Sequence, residues 1–487
     1  MNVNPITRLD YPDPDVIRVE DTYYMVSTTM HFMPGCEILQ SFDLVHWEHV
    51  TYVYETLDHT DAQQLKSGQN IYGQGMWAAS LRYHEGRFYI CFVANDTRKT
   101  YLYTSEKIDG PWKKQLIEGF YHDGSLLFDE DGRNYIVYGN DEIWITELNE
   151  DLTAPKKDGL HRLLVSDHKN PELGYEGSHI QKINGYYYIF LVHSLRDRWM
   201  RTEACFYSDS LEGEFTGGDV LCDDRGYCGQ GVAQGGIVDT PDGKWYAMLF
   251  QDSGAVGRIP ILLPVTWKDH FPVFGQNGHV PEEIEVHSTR PGYIYQPLVG
   301  SDDFCNGLLP RWQFNHDPDP RYYHLDALQG TYTITTREVC TELTQAVNTL
   351  TQRMSYPSCA AEVTVDASAL KEGDVAGLCA LQSCYAAVGI TKHHGKYEVL
   401  MLDKKEDGIL DMTEGTVVES HQMDFRLEAD FCNMKDEARC YYRVNKGDWL
   451  PIGTVHKLYF KLDHFTGCRF GLFCYAAEET GGSACFR

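Results

Sequence analysis

The sequence predicts an all-β protein in which a five-bladed β-propeller precedes a β-sandwich. Short runs of alternating apolar and polar residues are separated by turns rich in Gly, Asp and Asn, which is typical of antiparallel sheets. One strand–turn–strand pattern recurs five times in the first 295 residues and then stops. A chain of 487 residues also exceeds what one ordinary core accommodates, so two domains are expected, at 1–295 and 296–487.

The repeated pattern consists of a strand, a tight polar turn and an aromatic opening of the next strand. Its copies read DVIRVEDTYYMV, SLRYHEGRFYICF, LLFDEDGRNYIVY, HIQKINGYYYIF and IVDTPDGKWYAML. A tyrosine marks this opening in each copy, at Tyr24, Tyr89, Tyr135, Tyr188 and Tyr246. The resulting intervals of 65, 46, 53 and 58 residues suit four-stranded sheets, so five units predict five propeller blades. A β-sandwich would also have short strands and regular turns, but it would not explain the next feature.

Each copy places one large functional side chain at the same distance before the marker tyrosine. This distance is twelve residues in copies two to five and eleven in the first copy, whose turn is one residue shorter. Pro, Ala or Gly follows every one of these side chains, which lets strands approach closely. Equivalent positions of a propeller face the same way, so all five are predicted to converge on the central axis. They are Asp13, Trp77, Asp123, Glu176 and Gln234.

Three carboxyl groups around one central funnel indicate a function. Repulsion between their charges and partial burial raise the pKa of each group, and this arrangement costs stability. A pair of carboxyl groups on opposite sides of a pocket can cleave a glycosidic bond, one by protonating the leaving oxygen and the other by activating water or attacking directly. Asp15, two residues after Asp13, is expected to be a supporting or solvated neighbour. A catalytically silent sugar-binding propeller and a scaffold for protein partners are the alternatives, and three intact acids argue against both.

Four residues are candidates for substrate binding: the axial Trp77 and Gln234, and also Phe32 and Arg258. Trp77 and Phe32, the latter in HFMPG, could offer apolar faces to a sugar ring, although either could instead be a core residue. Arg258, in VGRIP, could bind sugar hydroxyls or hold an acid ionised, and its alternative is an exposed salt bridge at the rim.

Composition limits the partners and the compartment. The 42 basic and 71 acidic residues give a net charge of −29, which disfavours nucleic acid and anionic membrane surfaces. The start of the chain, MNVNPITRLDYPDPD, lacks the basic and apolar segments of an export signal, so a cytoplasmic protein is expected. Fifteen cysteines without a CxxC pair are expected to be reduced, and no metal site is predicted from them. The oligomeric state stays open, a homo-oligomer included.

Several motifs resemble glycoside hydrolase family 43 over about residues 4–290: PDPD, HFMPG, GMWAASLRYH, YHDGSLLF and GYEGSHI. The resemblance implies a five-bladed catalytic propeller that inverts anomeric configuration, with carboxyl groups about 6.5–9.5 Å apart. It implies Asp13 as general base, Asp123 as the residue that raises the acid's pKa and orients it, and Glu176 as general acid. No cofactor is implied as required. Many relatives carry a histidine in the fifth blade near a bound metal or water, so Gln234 there disfavours an axial calcium ion.

After residue 295 the repeat gives way to segments such as YYHLDA, GTYTITT, SCAAEVTVDA and KLYFKLDH, which predict a β-sandwich. With its NTLTQR stretch, this part resembles the jelly-roll, concanavalin-like domain of xylan-active members of the family. Its expected role is a wall over one side of the funnel, with a carbohydrate-binding module and folding support as rivals.

The hypothesis for the whole chain is an exo-acting hydrolase that releases terminal α-L-arabinofuranose or β-D-xylose from arabinoxylan fragments or xylo-oligosaccharides, with a slight preference for arabinofuranose.

Overall fold

Five four-stranded antiparallel sheets follow one another along the first part of the chain, one for each copy of the repeated pattern. The computed structural model describes residues 2–413, 415–461 and 464–487. Short 3-10 turns lie at Lys66–Gly68, Gly254–Val256, Leu343–Gln345 and Cys432–Met434. No helix among the described residues is long and apolar enough to cross a membrane. The predicted all-β fold class is confirmed.

Each blade contains four strands in chain order, and the first strands of the five blades contact one another around the axis. Blade I comprises Asp15–Val19, Thr22–Val26, Gly35–Ser41 and Glu48–Tyr54. Blade II comprises Met76–His84, Arg87–Ala94, Lys99–Ser105 and Lys113–Ile117. Blade III comprises Ser125–Phe128, Asn134–Asn140, Glu142–Leu148 and His161–Ser166. Blade IV comprises Glu176–Ile183, Tyr186–Ser194, Arg201–Ser208 and Thr216–Leu221. Blade V comprises Val232–Asp239, Trp245–Asp252, Arg258–Lys268 and Phe271–Phe274.

Apolar side chains fill the gap between each pair of neighbouring blades, in five separate clusters. Burial of each large aliphatic or aromatic side chain contributes about 1.5–3 kcal/mol, so these clusters provide most of the force that holds the blades together. The ring closes between blades V and I, where Asn2–Val3 pairs with Glu283–Ile284. Beside this pair, the Asn4 side-chain amide donates a 2.7 Å hydrogen bond to the Leu262 carbonyl.

The second part of the chain forms two facing antiparallel sheets with a shared apolar core. Sheet A comprises, in spatial order, Leu410–Met412, Lys396–Lys404, Ala386–His393, Val375–Leu381, Arg469–Tyr475, Leu350–Arg353, Gln313–Asn315 and Phe32–Met33, with Thr416–Val418 also pairing with Lys396–Lys404. Sheet B comprises Tyr323–Asp326, Thr331–Thr335, Ser483–Phe486, Ser358–Asp366, Gln422–Asp430, Glu437–Arg443 and Leu450–Lys457.

Three of the four strands named from the sequence of this region form as predicted: YYHLDA, GTYTITT and SCAAEVTVDA. The prediction for KLYFKLDH is wrong at its start, because the strand of that region ends at Lys457 and residues 458–461 are irregular. Leu462 and Asp463 of this segment lie outside the described residues.

The propeller and the sandwich share backbone hydrogen bonds and buried charges. Phe32–Met33 leaves blade I to become the edge of sheet A, where it pairs with Gln313–Asn315. The Arg353 guanidinium, from the sandwich, forms a 2.8 Å ion pair with Glu37 of blade I and lies over the Tyr11 ring. Both charged side chains are buried, so breaking the pair would leave an uncompensated buried charge.

Candidate active site

The axial residues owe their orientation to irregular backbone at the entrance of each first strand. One residue per blade has a left-handed conformation there: Asp13 (φ 51°), Ala78 (φ 35°), Asp123 (φ 48°), Gly177 (φ 66°) and Gln234 (φ 65°). In blades II, IV and V the same place interrupts the register of the first two strands. Such bulges re-aim side chains beside active sites, and each strained residue other than glycine costs about 1–3 kcal/mol.

Asp13 is buried and both of its carboxylate oxygens accept hydrogen bonds. Arg258 Nη1 donates to Oδ1 at 2.7 Å, and Thr28 Oγ1 donates to Oδ2 at 2.5 Å. Arg258 is 6% exposed, so it is not the exposed rim residue that the sequence left open as an alternative. Its Nε atom lies 3.3 Å from Asp252 Oδ1, which orients the guanidinium toward Asp13.

Glu176 and Asp123 lie beside a histidine that sequence analysis did not single out. His122 Nε2 is 3.4 Å from Glu176 Oε2 and 3.6 Å from Asp123 Oδ2. Asn140 donates a 2.7 Å hydrogen bond to the same Glu176 oxygen, and the Gly177 backbone donates one of 3.0 Å to Asp123 Oδ2. The two acids and the imidazole therefore form one electrostatic unit.

The pKa values in this unit move in different directions. The charge of Asp123, with contributions from Glu176 and Asp13, raises the pKa of His122 to about 9. Burial raises the pKa of Asp123 to about 6, although the charge of His122 opposes this shift. Burial would also raise the pKa of Glu176, but His122, Arg201 and Arg258 outweigh it, and the pKa of Glu176 lies below its ordinary value. The raised pKa that the sequence predicts for this acid is therefore absent, because the histidine supplies positive charge.

Asp15 lies one layer deeper along the axis and is 1% exposed. It forms a 2.8 Å ion pair with Arg82 and lies 3.0 Å from His179 Nδ1, and it accepts a hydrogen bond from the Leu81 backbone. Burial alone would raise the pKa of Asp15, but Arg82 and His179 outweigh it and the net shift is downward. Asp15 is a supporting residue and is not solvated.

Gln234 lies at the axis, 4% exposed, with its side chain packed against Gly177. Its backbone N–H donates a 2.7 Å hydrogen bond to the buried carboxyl group of Glu203. A cavity of about 10 Å³ borders Gln234, Asp13, Asp123 and other axial residues, and this is room for about one water molecule.

His122, Asp123 and Glu176 offer three ligand atoms within 4.8 Å, the one group of this kind among the described residues. A metal ion there would have to displace the proton of His122, whose pKa the neighbouring carboxylates raise to about 9.

Trp77 reaches the pocket beside a residue of the sandwich. Its ring contacts the Phe465 ring edge-on at 5.2 Å between centroids and lies 6.3 Å from the His122 ring. Phe465 also lies under the Arg258 guanidinium, 4.0 Å from it. The Cys468 backbone donates a 2.7 Å hydrogen bond to the Ala255 carbonyl, which ties this sandwich loop to the loop before Arg258. The sandwich therefore contributes a side chain to the pocket wall.

Phe32 does not line the pocket, which corrects its assignment to sugar binding. The side chain is 0% exposed and packs in an apolar cluster of the sandwich. The Arg469 guanidinium covers its ring at 3.5 Å. The reason is the pairing of Phe32–Met33 with sheet A, which draws this segment into the domain interface.

Sequence analysis also missed Thr28, Asn140, Arg201 and Asp252. Each lies where the second strand of its blade meets the third, at the end of the blade where the first strand begins. Arg201 Nε donates a 2.9 Å hydrogen bond to Asp252 Oδ2, so Asp252 holds both Arg201 and Arg258. Polar residues at the second-to-third strand connection of every repeat are the signal that could have identified them.

Comparisons with known proteins agree with this arrangement. Residues 3–272 match the family model of glycosyl hydrolases family 43, and residues 301–487 match that of the beta xylosidase C-terminal concanavalin A-like domain. A beta-xylosidase of Formosa agariphila is 26% identical, over 99% of this chain and 88% of that protein.

Two solved structures extend the comparison. A bifunctional GH43-CE protein of Bacteroides eggerthii is 42% identical with a TM-score of 0.92 over all of this chain, which spans 63% of that structure. A family 43 enzyme, whose engineered active site displays both endo-xylanase and exo-arabinofuranosidase activity, is 27% identical with a TM-score of 0.88, over 99% of this chain and 98% of its own. With its family match, its axial carboxyl groups and its concanavalin-like second domain, the chain belongs to glycoside hydrolase family 43 and is a glycosidase.

Proposed function

We propose that the protein is an exo-acting, inverting pentosidase that removes terminal α-L-arabinofuranose or β-D-xylose from arabinoxylan fragments or xylo-oligosaccharides. Asp13 acts as the general base that activates water, Glu176 as the general acid that protonates the leaving oxygen, and Asp123 as the residue that tunes the acid. The reaction needs only these groups and water. No cofactor is part of the proposal.

The different surroundings of the two acting carboxyl groups carry this proposal. Asp13 is paired with Arg258 and accepts a hydrogen bond from Thr28, which suits a carboxylate that takes a proton from water. Glu176 accepts hydrogen bonds at one oxygen, and its side chain keeps 18% exposure at the pocket, which suits a group that meets a leaving oxygen. Two carboxyl groups in unlike environments are the usual basis for separate acid and base roles.

Two observations support exo action on a pentose. Phe465 from the sandwich packs against Trp77 and Arg258 at one side of the site, an arrangement that favours a chain end over the middle of a polymer. Among the relatives described above, one is a beta-xylosidase and another displays exo-arabinofuranosidase activity beside endo-xylanase activity. We give slight preference to arabinofuranose, from the motifs YPDPDVIRV and MHFMPG.

The test is hydrolysis of 4-nitrophenyl α-L-arabinofuranoside and 4-nitrophenyl β-D-xyloside by the purified protein, with the two kcat/KM values compared. Proton NMR of the first product formed reports its anomeric configuration, and we expect inversion. A retained product would overturn the roles assigned to Asp13 and Glu176. Turnover of neither pentoside, with turnover of a hexoside, would overturn the substrate class.

A further inference from the structure

His122 lies beside two of the axial acids and has no role in the proposed reaction. It precedes Asp123 in blade III, and its imidazole lies between the carboxyl groups of Asp123 and Glu176. Its side chain is 21% exposed, so it is held at the pocket surface rather than in the core.

His122 and Asn140 reach the same oxygen of Glu176. The distance from His122 Nε2 to Oε2 is 3.4 Å and that from Asn140 Nδ2 to Oε2 is 2.7 Å. No hydrogen bond to Oε1 is seen within the described part of the chain. A proton on Oε2 would point at two N–H donors, whereas a proton on Oε1 would meet none.

We propose that His122 is a positioning residue for the general acid: with Asn140 it holds Oε2 of Glu176, so that Oε1 is the oxygen that delivers the proton to the leaving group. This inference rests on the proposed function, since it gives Glu176 the role of acid. No net chemistry is added, because the proton passes from Glu176 Oε1 to the glycosidic oxygen as the bond to the sugar breaks.

His122 also places a positive charge beside the acid. The groups that face it are Asp123, Glu176 and Asp13, from blades III, IV and I, and the uncharged Trp77 of blade II. Arg201 and Arg258 of blades IV and V act on Glu176 from other directions. Loss of the imidazolium would therefore raise the pKa of Glu176 and keep the acid protonated to higher pH.

The test uses His122→Gln, which removes the charge and keeps a hydrogen-bond donor. The basic limb of the kcat/KM profile should move to higher pH by about 1–3 units, the usual effect of one opposite charge at this distance. His122→Ala, which also removes the donor, should lose more kcat on xylobiose or an arabinosylated xylo-oligosaccharide than on a dinitrophenyl pentoside. Asn140→Ala should show the same dependence on leaving group with a smaller shift of the limb, because it removes a neutral donor and leaves the imidazolium charge in place.

His193→Gln is the matched control. His193 also lies between two carboxyl groups, 3.1 Å from Asp167 and 2.8 Å from Asp219, but outside the acid cluster. Its replacement should leave the pH profile in place. A basic limb that does not move in His122→Gln, or equal losses on both leaving groups in His122→Ala, would overturn the inference.

Histidine NMR titration separates this inference from the proposed function. A histidine with a pKa of about 9 should be present in the wild type and absent in His122→Gln, and its pKa should fall in Glu176→Gln. If these titrations appear but pentosides are not cleaved, the proposed substrate fails while the His122–Glu176 unit stands. If no histidine signal that disappears in His122→Gln titrates well above pH 7, the His122 inference fails even in an active enzyme.

Discussion

At the scale of single residues, the acid and the base differ in how they depend on the leaving group. Replacing Glu176 by Ala should slow cleavage of natural oligosaccharides by about 10²–10⁴-fold, the usual contribution of general acid catalysis. A dinitrophenyl pentoside should lose much less, because its phenolate departs without a proton. Asp13→Ala should cripple both substrates, since the attacking water loses its activator, and added azide should restore part of the rate. Steady-state kinetics on the two substrates checks this, and the reverse pattern would exchange the roles.

Asp123 tunes Glu176 in the direction opposite to His122. The charges of Asp123 and Glu176 repel each other, so Asp123→Asn should lower the pKa of Glu176 and move the basic limb of kcat/KM to lower pH. Binding should be retained while kcat falls. A pH profile and a substrate titration measure the two effects. A limb that stays in place would mean that Asp123 does not act on the acid through its charge.

Gln234 bears on metal dependence. The carboxamide of Gln234 at the axis can hydrogen-bond to a water molecule in the small cavity there. An amide oxygen attracts a cation less strongly than a carboxylate does. Activity is therefore expected to survive prolonged treatment with a chelator. A large loss of activity that calcium restores would show that the axis holds an ion.

At the scale of elements, the loop before Arg258 decides where the guanidinium lies. Gly257 has φ 104°, and a Cβ atom there would lie 2.1 Å from Asp10 Oδ1, the atom that accepts the Arg258 backbone hydrogen bond. Gly257→Ala should therefore displace Arg258. A displacement of about 1 Å can cost 10²-fold in rate.

Gly243→Ala is the control for this prediction. Gly243 also has a left-handed φ, of 80°, but a Cβ atom there would meet open space. This variant should show only the cost of a left-handed backbone at a residue with a Cβ atom, about 1–2 kcal/mol, with kcat unchanged. Thermal melting and kcat measured on both variants separate strain from displacement, and equal kcat values would contradict the role of this loop.

At the scale of the whole molecule, the propeller depends on the sandwich. Phe465 forms part of the pocket wall, Arg353 neutralises Glu37, and sheet A holds the Phe32–Met33 segment.

A propeller lacking residues 300–487 should be insoluble or fail to cleave even aryl pentosides. Phe465→Ala in the full chain tests the wall without removing the interface. It should lower kcat/KM in a protein that still folds, with a lower melting temperature because the side chain is only 3% exposed. A soluble truncated propeller with normal turnover of aryl pentosides and weak binding of long chains would favour a carbohydrate-binding module.

Local sequence patterns were sufficient to predict the fold and to locate the axial residues. Tight turns and alternating strands depend on neighbours along the chain, so the repeat predicted five blades. Because each blade repeats the same register, counting from the marker tyrosines located Asp13, Asp123 and Glu176 at the axis. The resemblance to family 43 rested on the same short motifs, and the family comparison confirmed it.

Tertiary structure decided how these residues are surrounded. Phe32 was assigned to the pocket from its neighbours in sequence, but the distant strand Gln313–Asn315 draws it into the sandwich. Phe465 reaches the pocket from the other domain, and His122 changes the pKa of an acid on a different blade. Contacts of this kind join segments distant in the chain and leave no local pattern. The sequence by itself therefore determined which side chains could act as acid and base. Their pKa values and the residues that surround the pocket depended on how the blades and the sandwich pack together.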